Sequence, residues 1–253
     1  MNDCANKDNS NKATLSFLDK EFLNSDAGRS IRILSEYQLP EHYIKDLNIH
    51  NCITVFGSAR QLNETAKQKY PRIAAAYKEC EDIVSNLMDW SLTLDKEDRF
   101  YICTGGGPGF MEAANKGAWN KKFPSIGLNI DLPFEQSVNP FVTPILSFEF
   151  HYFFMRKFWF TNLADAIIVM PGGFGTMDEL FEHLTLIQTK KIHRQIPIVL
   201  YCSEFWNKFC DIEFLSETGF ISPEDINIFK MCDSPQECTD YIINSLKETH
   251  NLL

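Results

Sequence analysis

Three turns rich in glycine, each directly after a short apolar segment, constrain the fold of this chain most strongly. They hold eight of its twelve glycines, so their placement is not random. The first begins at Gly57, the second covers 105–109 and the third covers 171–175. In open parallel sheets, such turns follow the strands and lead into helix N-termini, where backbone N–H groups approach an anion closely. We therefore expect the three turns to meet in one crevice that binds a phosphorylated ligand.

Strand-like segments alternate with helical ones from residue 50 onward. Apolar runs predict strands at 52–56, 100–104, 125–130, 166–170 and 195–201. Apolar spacings of three and four residues and the flanking turn residues predict helices at 66–90, 110–119, 176–189, 205–217 and 235–249. This alternation is typical of an α/β fold, here a single Rossmann-like doubly wound parallel sheet flanked by helices.

The first fifty residues differ in composition from the segment that follows. Residues 1–13 are polar and predict a disordered tail, and residues 14–50 predict a short N-terminal helical extension. We expect residues 51–253 to form the Rossmann-like, nucleotide-binding domain, in which any catalytic residues would lie. The start lacks a basic stretch followed by an apolar one, so we expect no signal peptide, and no apolar run reaches the ~18 residues of a membrane span. We expect a cytoplasmic protein without a membrane partner.

Charge and metal-ligating residues exclude several classes of partner. A formal net charge of −10 argues against nucleic acid, which binds to broad basic surfaces, but not against a small ligand held by backbone N–H groups. The eight cysteines are scattered with no CxxC pair, so we expect reduced thiols, as in the cytoplasm. The six histidines show no spacing typical of metal ligands. We therefore predict neither a metal site nor a cofactor.

Two familiar nucleotide-binding motifs do not fit the glycine turns. The pattern GxGxxG fails because Phe110 stands where a third glycine would follow Gly105 and Gly107, and GxxxxGK[ST] occurs nowhere. The turns are therefore neither an ordinary dinucleotide site nor a P-loop. An alternative is that the glycines only form tight turns, although this explains one turn better than all three together.

Thr176 and Glu179 open the helix predicted at 176–189, and their spacing has two interpretations. It is the spacing of a capping box, in which both side chains bind free backbone N–H groups at a helix start. Alternatively, Glu179 lies one turn beyond the phosphate-binding turn and reaches the sugar of a bound nucleotide, or the two residues share capping and chemistry between them.

An aromatic helix is expected over 148–160, where Arg156 and Lys157 are adjacent. Aromatic residues at this density are typical of a core or a subunit interface. A buried guanidinium needs a carboxylate or phosphate partner, which it binds through two parallel hydrogen bonds. The other interpretation is that both cations are solvated at the helix surface.

Three motifs carry a resemblance to a known family. They are Gly105-Gly-Gly-Pro-Gly-Phe-Met-Glu112, Met155-Arg-Lys157 and Pro171-Gly-Gly-Phe-Gly-Thr-Met-Asp-Glu179. Together they resemble the LONELY GUY (LOG) family of nucleoside 5′-monophosphate phosphoribohydrolases, once labelled possible lysine decarboxylases. The resemblance spans roughly residues 50–245, so it implies nothing about the N-terminal extension.

The resemblance implies both an activity and the residues that perform it. A LOG-like hydrolase cleaves the N-glycosidic bond of a nucleoside 5′-monophosphate, with Arg156 and Glu179 as catalytic residues. It also implies a homodimer with sites near the interface. The glycine turns and the resemblance together indicate these substrate-binding residues: Gly57, Ser58, Gly106, Gly107, Met111, Glu135, Lys157, Gly172, Gly173, Phe174, Gly175, Thr176 and Thr185.

Hydrolysis of an N-glycosidic bond assigns different roles to the two catalytic residues. The reaction passes through an oxocarbenium-like sugar, whose positive charge Glu179 is suited to stabilise while it orients or deprotonates the water. Arg156 positions the substrate and stabilises negative charge, because a guanidinium is a poor proton donor. The base remains open among cytokinin precursors, AMP, GMP and pyrimidine monophosphates.

Two other functions can be compared with the sequence. A nucleotide- or molybdenum-cofactor-binding carrier would use the same phosphate turn without chemistry, but it would not need both Arg156 and Glu179. A PLP-dependent lysine decarboxylase would need a Schiff-base lysine and a partner for the pyridinium nitrogen, and no motif of that kind occurs.

Overall fold

The computed structural model of the chain describes residues 13–133 and 137–252. Its strands are β1 Asn51–Phe56, β2 Phe100–Thr104, β3 Ser125–Ile130, β4 Ser147–Phe150, β5 Ala164–Val169, β6 Ile198–Tyr201 and β7 Phe229–Cys232. They form one seven-stranded sheet in the order β4-β3-β2-β1-β5-β6-β7, in which all neighbours are parallel. The predicted doubly wound α/β sheet is confirmed.

Helices connect these strands and cover both faces of the sheet. They are α1 Lys20–Asn24, α2 Arg29–Asp46, α3 Glu64–Lys69, α4 Pro71–Thr93, α5 Phe110–Asn120, α6 Phe153–Leu163, α7 Phe174–Gln188, α8 Ser203–Phe209, α9 Ile212–Glu217 and α10 Pro235–His250. Helices α4, α5 and α10 pack together, whereas α2 packs on α6. Since parallel crossovers are right-handed, helices whose connections run in opposite directions across the sheet lie on opposite faces.

The strand order reverses between β1 and β5, in the middle of the sheet. Both strands are almost completely buried, which explains why their sequences are nearly continuous apolar runs. At such a reversal the loops that follow the two strands diverge to opposite faces and leave a crevice between them. The turns at Gly57 and 171–175 begin at this crevice.

The structure contains two strands that the sequence does not predict. The segment 148–160, expected to be one aromatic helix, is divided into β4 and α6. In β4, buried Phe148 and Phe150 flank exposed Glu149, so its apolar residues follow the two-residue period of a strand. The other unpredicted strand, β7, is short and only partly buried, as is typical of a strand at the edge of a sheet.

Two predicted helices are each broken in two. The segment 66–90 divides between α3 and α4 at Tyr70, because the following Pro71 disfavours helical backbone at the residue before it. The segment 205–217 divides between α8 and α9 before Asp211, whose side chain caps α9 by accepting a hydrogen bond from the Phe214 N–H at 3.0 Å.

The predicted N-terminal extension is helical where the structure describes it. It contains two short 3-10 turns, α1 and the longer α2, which has Pro40 buried in its interior. The tail predicted at 1–13 lies almost entirely outside the described residues. Within the described ranges, no helix is long and apolar enough to cross a membrane.

Candidate functional site

A cavity of about 620 Å³ opens at the carboxyl ends of β1, β2 and β5, where the strand order reverses. It is large enough for a nucleotide-sized ligand. The sequence-predicted residues that line it are Gly57, Ser58, Met111, Arg156, Gly172, Gly173, Phe174, Gly175, Thr176 and Glu179. The three glycine turns therefore converge, as the sequence predicts.

Backbone hydrogen bonds join the three turns through Ser58. Its N–H donates to the carbonyl of Pro171 at 3.1 Å, and its own carbonyl accepts from the Phe110 N–H at 3.0 Å. Gly109 makes the second contact feasible, because a Cβ at this position would lie 2.2 Å from the Ser58 oxygen. Its φ of +71° also lies in the region that favours glycine.

The turn after β5 leads directly into α7. This helix begins at Phe174 and has Gly173 at its N-cap, with no side chain capping it. The first N–H groups of the helix are therefore free to bind an anion. A Cβ at Gly173 or Gly175 would meet open space, whereas one at Gly172 would lie 2.1 Å from the Thr176 hydroxyl oxygen.

The helix start excludes one of the interpretations of Thr176 and Glu179. Both residues lie inside α7 and neither caps it, so the capping-box interpretation is wrong. The helix begins two residues earlier than predicted because glycine, without a side-chain cap, serves as its N-cap. Glu179 lies in the second turn and its side chain lines the cavity.

Arg156 and Glu179 lie next to each other in the wall of the cavity. The distance from Arg156 Nη2 to Glu179 Oε1 is 3.6 Å, longer than a good hydrogen bond. Neither carboxylate oxygen of Glu179, which is 3% exposed, accepts a hydrogen bond from a described residue. The Arg156 guanidinium packs over the rings of Phe153 and Phe160, with centroids at 5.2 and 5.7 Å. The pair is thus buried, close and incompletely hydrogen-bonded.

Burial changes the acidity of both members of this pair. It raises the pKa of Glu179 to about 7, and the positive charges of Arg156 and Lys157 oppose this shift only in part. Burial also lowers the pKa of Arg156, against the charges of Glu179 and Asp178. A carboxyl group with a pKa near neutrality in a cavity is a candidate for proton transfer.

Four predicted substrate-binding residues do not line the cavity. Gly106 and Gly107 lie behind its wall, where the Asn139 amide donates to both carbonyls at 3.0 Å. Lys157 extends instead to Asp178 and Glu182, with Nζ 2.8 and 3.0 Å from their oxygens. Thr185 is exposed, and its hydroxyl donates to the Phe181 carbonyl at 2.7 Å.

Glu135, the remaining predicted contact, lies outside the described residues. Gly105 lines the cavity in place of its two neighbours, next to Met111. The roles of these residues toward a ligand stay predictions.

Sequence reasoning missed a cation and most of the apolar wall. Arg60, in the turn after β1, lines the cavity, and its guanidinium forms no ion pair with a described carboxylate. Its position three residues after Gly57, in a turn already expected to bind a ligand, could have indicated Arg60 as a site residue. No sequence pattern indicates the apolar wall, because its residues come from separate elements. They are Ile130, Leu132, Phe153, Phe160, Met177 and Phe209.

The described residues contain no group of three His, Cys, Asp or Glu side chains arranged to hold a metal ion. The absence of a metal and of a cofactor from the reaction remains a prediction.

A protein-family model described as "Possible lysine decarboxylase" matches residues 111–242 of the chain. A probable cytokinin riboside 5′-monophosphate phosphoribohydrolase of rice, LOGL3, is 32% identical over 34% of this chain and 40% of its own length. The corresponding Arabidopsis thaliana enzyme LOG7 is 39% identical over 27% of this chain and 31% of its own length. The cytokinin riboside 5′-monophosphate phosphoribohydrolase of Rhodococcoides fascians is 35% identical over 29% of this chain and 37% of its own length. The matches thus cover about a third of these relatives.

Solved structures share the fold at low identity. The molybdenum cofactor binding protein from Rippkaea orientalis is 18% identical, with a TM-score of 0.50, over 78% of this chain and 97% of that one. A structural-genomics target, TM1055, is 17% identical with a TM-score of 0.52, over 77% and 99%. At these identities the likeness concerns the fold alone.

Proposed function

The chain belongs to the LOG family, whose model is described as possible lysine decarboxylase, and from this premise we propose that it hydrolyses the N-glycosidic bond of a nucleoside 5′-monophosphate. The products are a free base and ribose 5-phosphate. The observation that carries the proposal is the buried Arg156–Glu179 pair beside the uncapped start of α7. A buried carboxylate without a hydrogen-bond partner, next to a cation and facing a cavity, is suited to act on a substrate.

The start of α7 is the proposed phosphate site. The free N–H groups after Gly173 and the Thr176 hydroxyl provide donors, and the helix dipole favours negative charge there. Binding at the phosphate holds the rest of the nucleotide in place without touching the reacting carbon. This anchoring energy restricts the motion of the anomeric carbon relative to the catalytic residues.

Glu179 is the proposed catalytic base and electrostatic stabiliser. It lies three residues beyond Thr176 along α7, which is about 4.5 Å at 1.5 Å per residue, so the ribose of a phosphate-anchored nucleotide is within its reach. Its carboxylate would stabilise the positive charge that develops on the ribose and accept a proton from the attacking water. The hydroxide equivalent bonds to the anomeric carbon as the C–N bond breaks.

Arg156 is the proposed electrophilic partner. The base leaves with the electron pair of the C–N bond and then takes up from solvent the equivalent of the proton that the water gave to Glu179, so negative charge develops on it in the transition state. A guanidinium close to the cleaved bond stabilises that charge, but it does not supply the proton, because a guanidinium is a poor proton donor. Its packing over the rings of Phe153 and Phe160 restricts its orientation.

Lysine decarboxylation receives no support from the cavity. A PLP enzyme needs a lysine whose amine forms a Schiff base with the cofactor. None of the described residues lining the cavity is a lysine, and the neighbouring Lys157 is engaged by two carboxylates. A carrier function would use the phosphate site alone and is the alternative outcome of the experiment below.

The experiment is an assay of free base and ribose 5-phosphate with a panel of nucleoside monophosphates. The panel contains AMP, GMP, CMP, UMP and a cytokinin riboside 5′-monophosphate, and lysine with PLP is the control for decarboxylation. We expect release from at least one nucleotide and no carbon dioxide from lysine. Binding of a nucleotide without release of its base would favour a carrier.

The Glu179→Gln variant tests the assigned chemistry. We expect it to bind the nucleotide with nearly the wild-type Kd but to lose about 100-fold or more in kcat, because an amide neither accepts the water proton nor carries the charge. Exposed Glu213, which belongs to α9, provides the matched control Glu213→Gln. Full release of ribose 5-phosphate by Glu179→Gln would refute the role of this residue.

A further inference from the structure

The N-terminal extension is hydrogen-bonded to the helix that carries Arg156. One carboxylate oxygen of Glu36, in α2, accepts from the His151 N–H at 2.8 Å, and the other accepts from the Tyr152 N–H at 3.3 Å. The backbone carbonyl of Glu36 accepts from the Trp159 indole N–H at 3.0 Å. A single residue of α2 thus binds both the start and the second turn of α6.

Glu36 performs at α6 the role that a capping side chain performs at other helices. Tyr152 is the N-cap of α6, and its own side chain makes no capping hydrogen bond. A carboxylate near this end also interacts favourably with the positive end of the helix dipole. Tyr37 adds contacts in the same place, with its ring 5.6 Å from Phe158 and 5.9 Å from Trp159.

Arg156 lies one turn after the residues that Glu36 binds. The Arg156 N–H donates to the Tyr152 carbonyl at 3.2 Å, while the Tyr152 N–H donates to Glu36. The Arg156 Nε has no hydrogen-bond partner among the described residues. Ring stacking and the path of α6 therefore determine where the guanidinium lies relative to Glu179.

We propose that Glu36 is a positioning residue, which holds α6 so that Arg156 stays 3.6 Å from Glu179. The expected change in kcat rests on the proposed hydrolysis, whereas the position of Arg156 relative to Glu179 does not. The N-terminal extension would then have a function. Its helix α2 holds α6, and thereby Arg156, in position, although no residue of α2 lines the cavity.

The variants Glu36→Ala and Glu36→Gln test this proposal in the full chain. Alanine removes both acceptor oxygens of the side chain, whereas glutamine keeps one and loses the charge. The glutamine variant therefore tests the proposal if the alanine variant does not fold. Glu41→Ala is the control, since Glu41 lies in the same helix and its one ion pair among the described residues is with Lys45, at 2.8 Å. Thermal melts of all three establish that the proteins compared are folded.

We expect a loss in kcat rather than in substrate binding. A displacement of Arg156 by about 1 Å lowers kcat by about 10- to 100-fold, whereas KM stays within about twofold because the phosphate site on α7 is untouched. Glu36→Gln gives a smaller loss and Glu41→Ala none. A folded Glu36→Ala protein with wild-type kcat overturns the proposal.

The acidity of Glu179 provides a measurement that does not depend on activity. Burial, Glu182 and Asp178 raise its pKa, and Arg156 and Lys157 lower it, so moving Arg156 away raises it further. Titration of the Glu179 carboxyl by NMR should show a higher pKa in Glu36→Ala than in the wild type and Glu41→Ala. An unchanged pKa of Glu179 would refute the positioning role of Glu36, and a higher pKa would support it. Both outcomes can be read even if the protein hydrolyses no nucleotide.

Discussion

Glu179 is buried where its charge is poorly stabilised, and this has a cost for the fold. Its pKa of about 7 in the folded protein lies above the ordinary value of 4.5. Between these pH values the folded state holds more protons than the unfolded state, so the free energy of unfolding falls as the pH rises. The residue proposed to perform catalysis therefore destabilises the protein at neutral and alkaline pH.

Glu179→Gln should consequently stabilise the protein at high pH. At pH 8 we expect the free energy of unfolding to rise by about 1 to 3 kcal/mol, and at pH 4.5 or below we expect little change, because wild-type Glu179 is then protonated. Urea unfolding at both pH values measures the difference. An equal effect at both pH values would contradict the linkage to Glu179 ionisation.

Arg60 is a second residue whose charge bears on the proposed ligand. Its backbone is fixed, since its carbonyl accepts hydrogen bonds from the Tyr77 and Ser58 hydroxyls at 2.6 and 3.0 Å. Arg60 lines the cavity next to the turn at Gly57. A cation in the wall of this cavity is suited to bind a phosphate held at the start of α7.

Arg60→Gln should therefore weaken the binding of phosphorylated ligands selectively. We expect the Kd for AMP to rise by about tenfold and the Kd for adenosine to stay unchanged, as measured by calorimetry. Arg99→Gln is the charge-matched control, because Arg99 precedes β2 at the opposite end of the sheet. Equal losses for AMP and adenosine would exclude a phosphate contact.

At the scale of elements, the interior of the sheet was predictable and its edges were not. β1, β2 and β5 are covered on both faces, so their sequences are apolar throughout and are bounded by glycine turns. β4 and β7 have one neighbour each, and exposed Glu149 and Lys230 interrupt their apolar patterns. Short strands with so few buried residues give little periodic signal.

The candidate site divides in the same manner. The glycines and Thr176 follow from local turn chemistry, which a sequence displays directly. The contact of Glu36 with the start of α6 joins residues more than a hundred positions apart, and no local pattern indicates it. The capping-box interpretation was wrong because a glycine N-cap leaves no side-chain signature of where α7 begins.

At the scale of the whole molecule, α6 leaves an apolar surface uncovered. Phe153 and Phe154 are each 50% exposed and Phe158 is 42% exposed, next to the cavity that Phe153 lines. Adjacent exposed aromatic residues mark interaction surfaces in soluble proteins. We propose that this surface forms the homodimer interface, which would bring two sites close to it.

Phe154→Asp should then convert the dimer into a monomer, because it places a charge in the interface without altering a cavity residue. Light scattering after size-exclusion chromatography measures the mass. Phe220→Asp is the control, since Phe220 is 78% exposed in the segment after α9. A monomeric wild type, or a Phe154→Asp protein of unchanged mass, would contradict the proposed interface.

The hydrogen bonds through Ser58 have a consequence for how a ligand is received. Because its N–H and its carbonyl join the turn after β1 to the other two turns, none of the three moves independently. The backbone that would surround a phosphate is therefore ordered before the phosphate arrives. Binding then loses little conformational entropy, and a larger share of the contact energy appears as affinity.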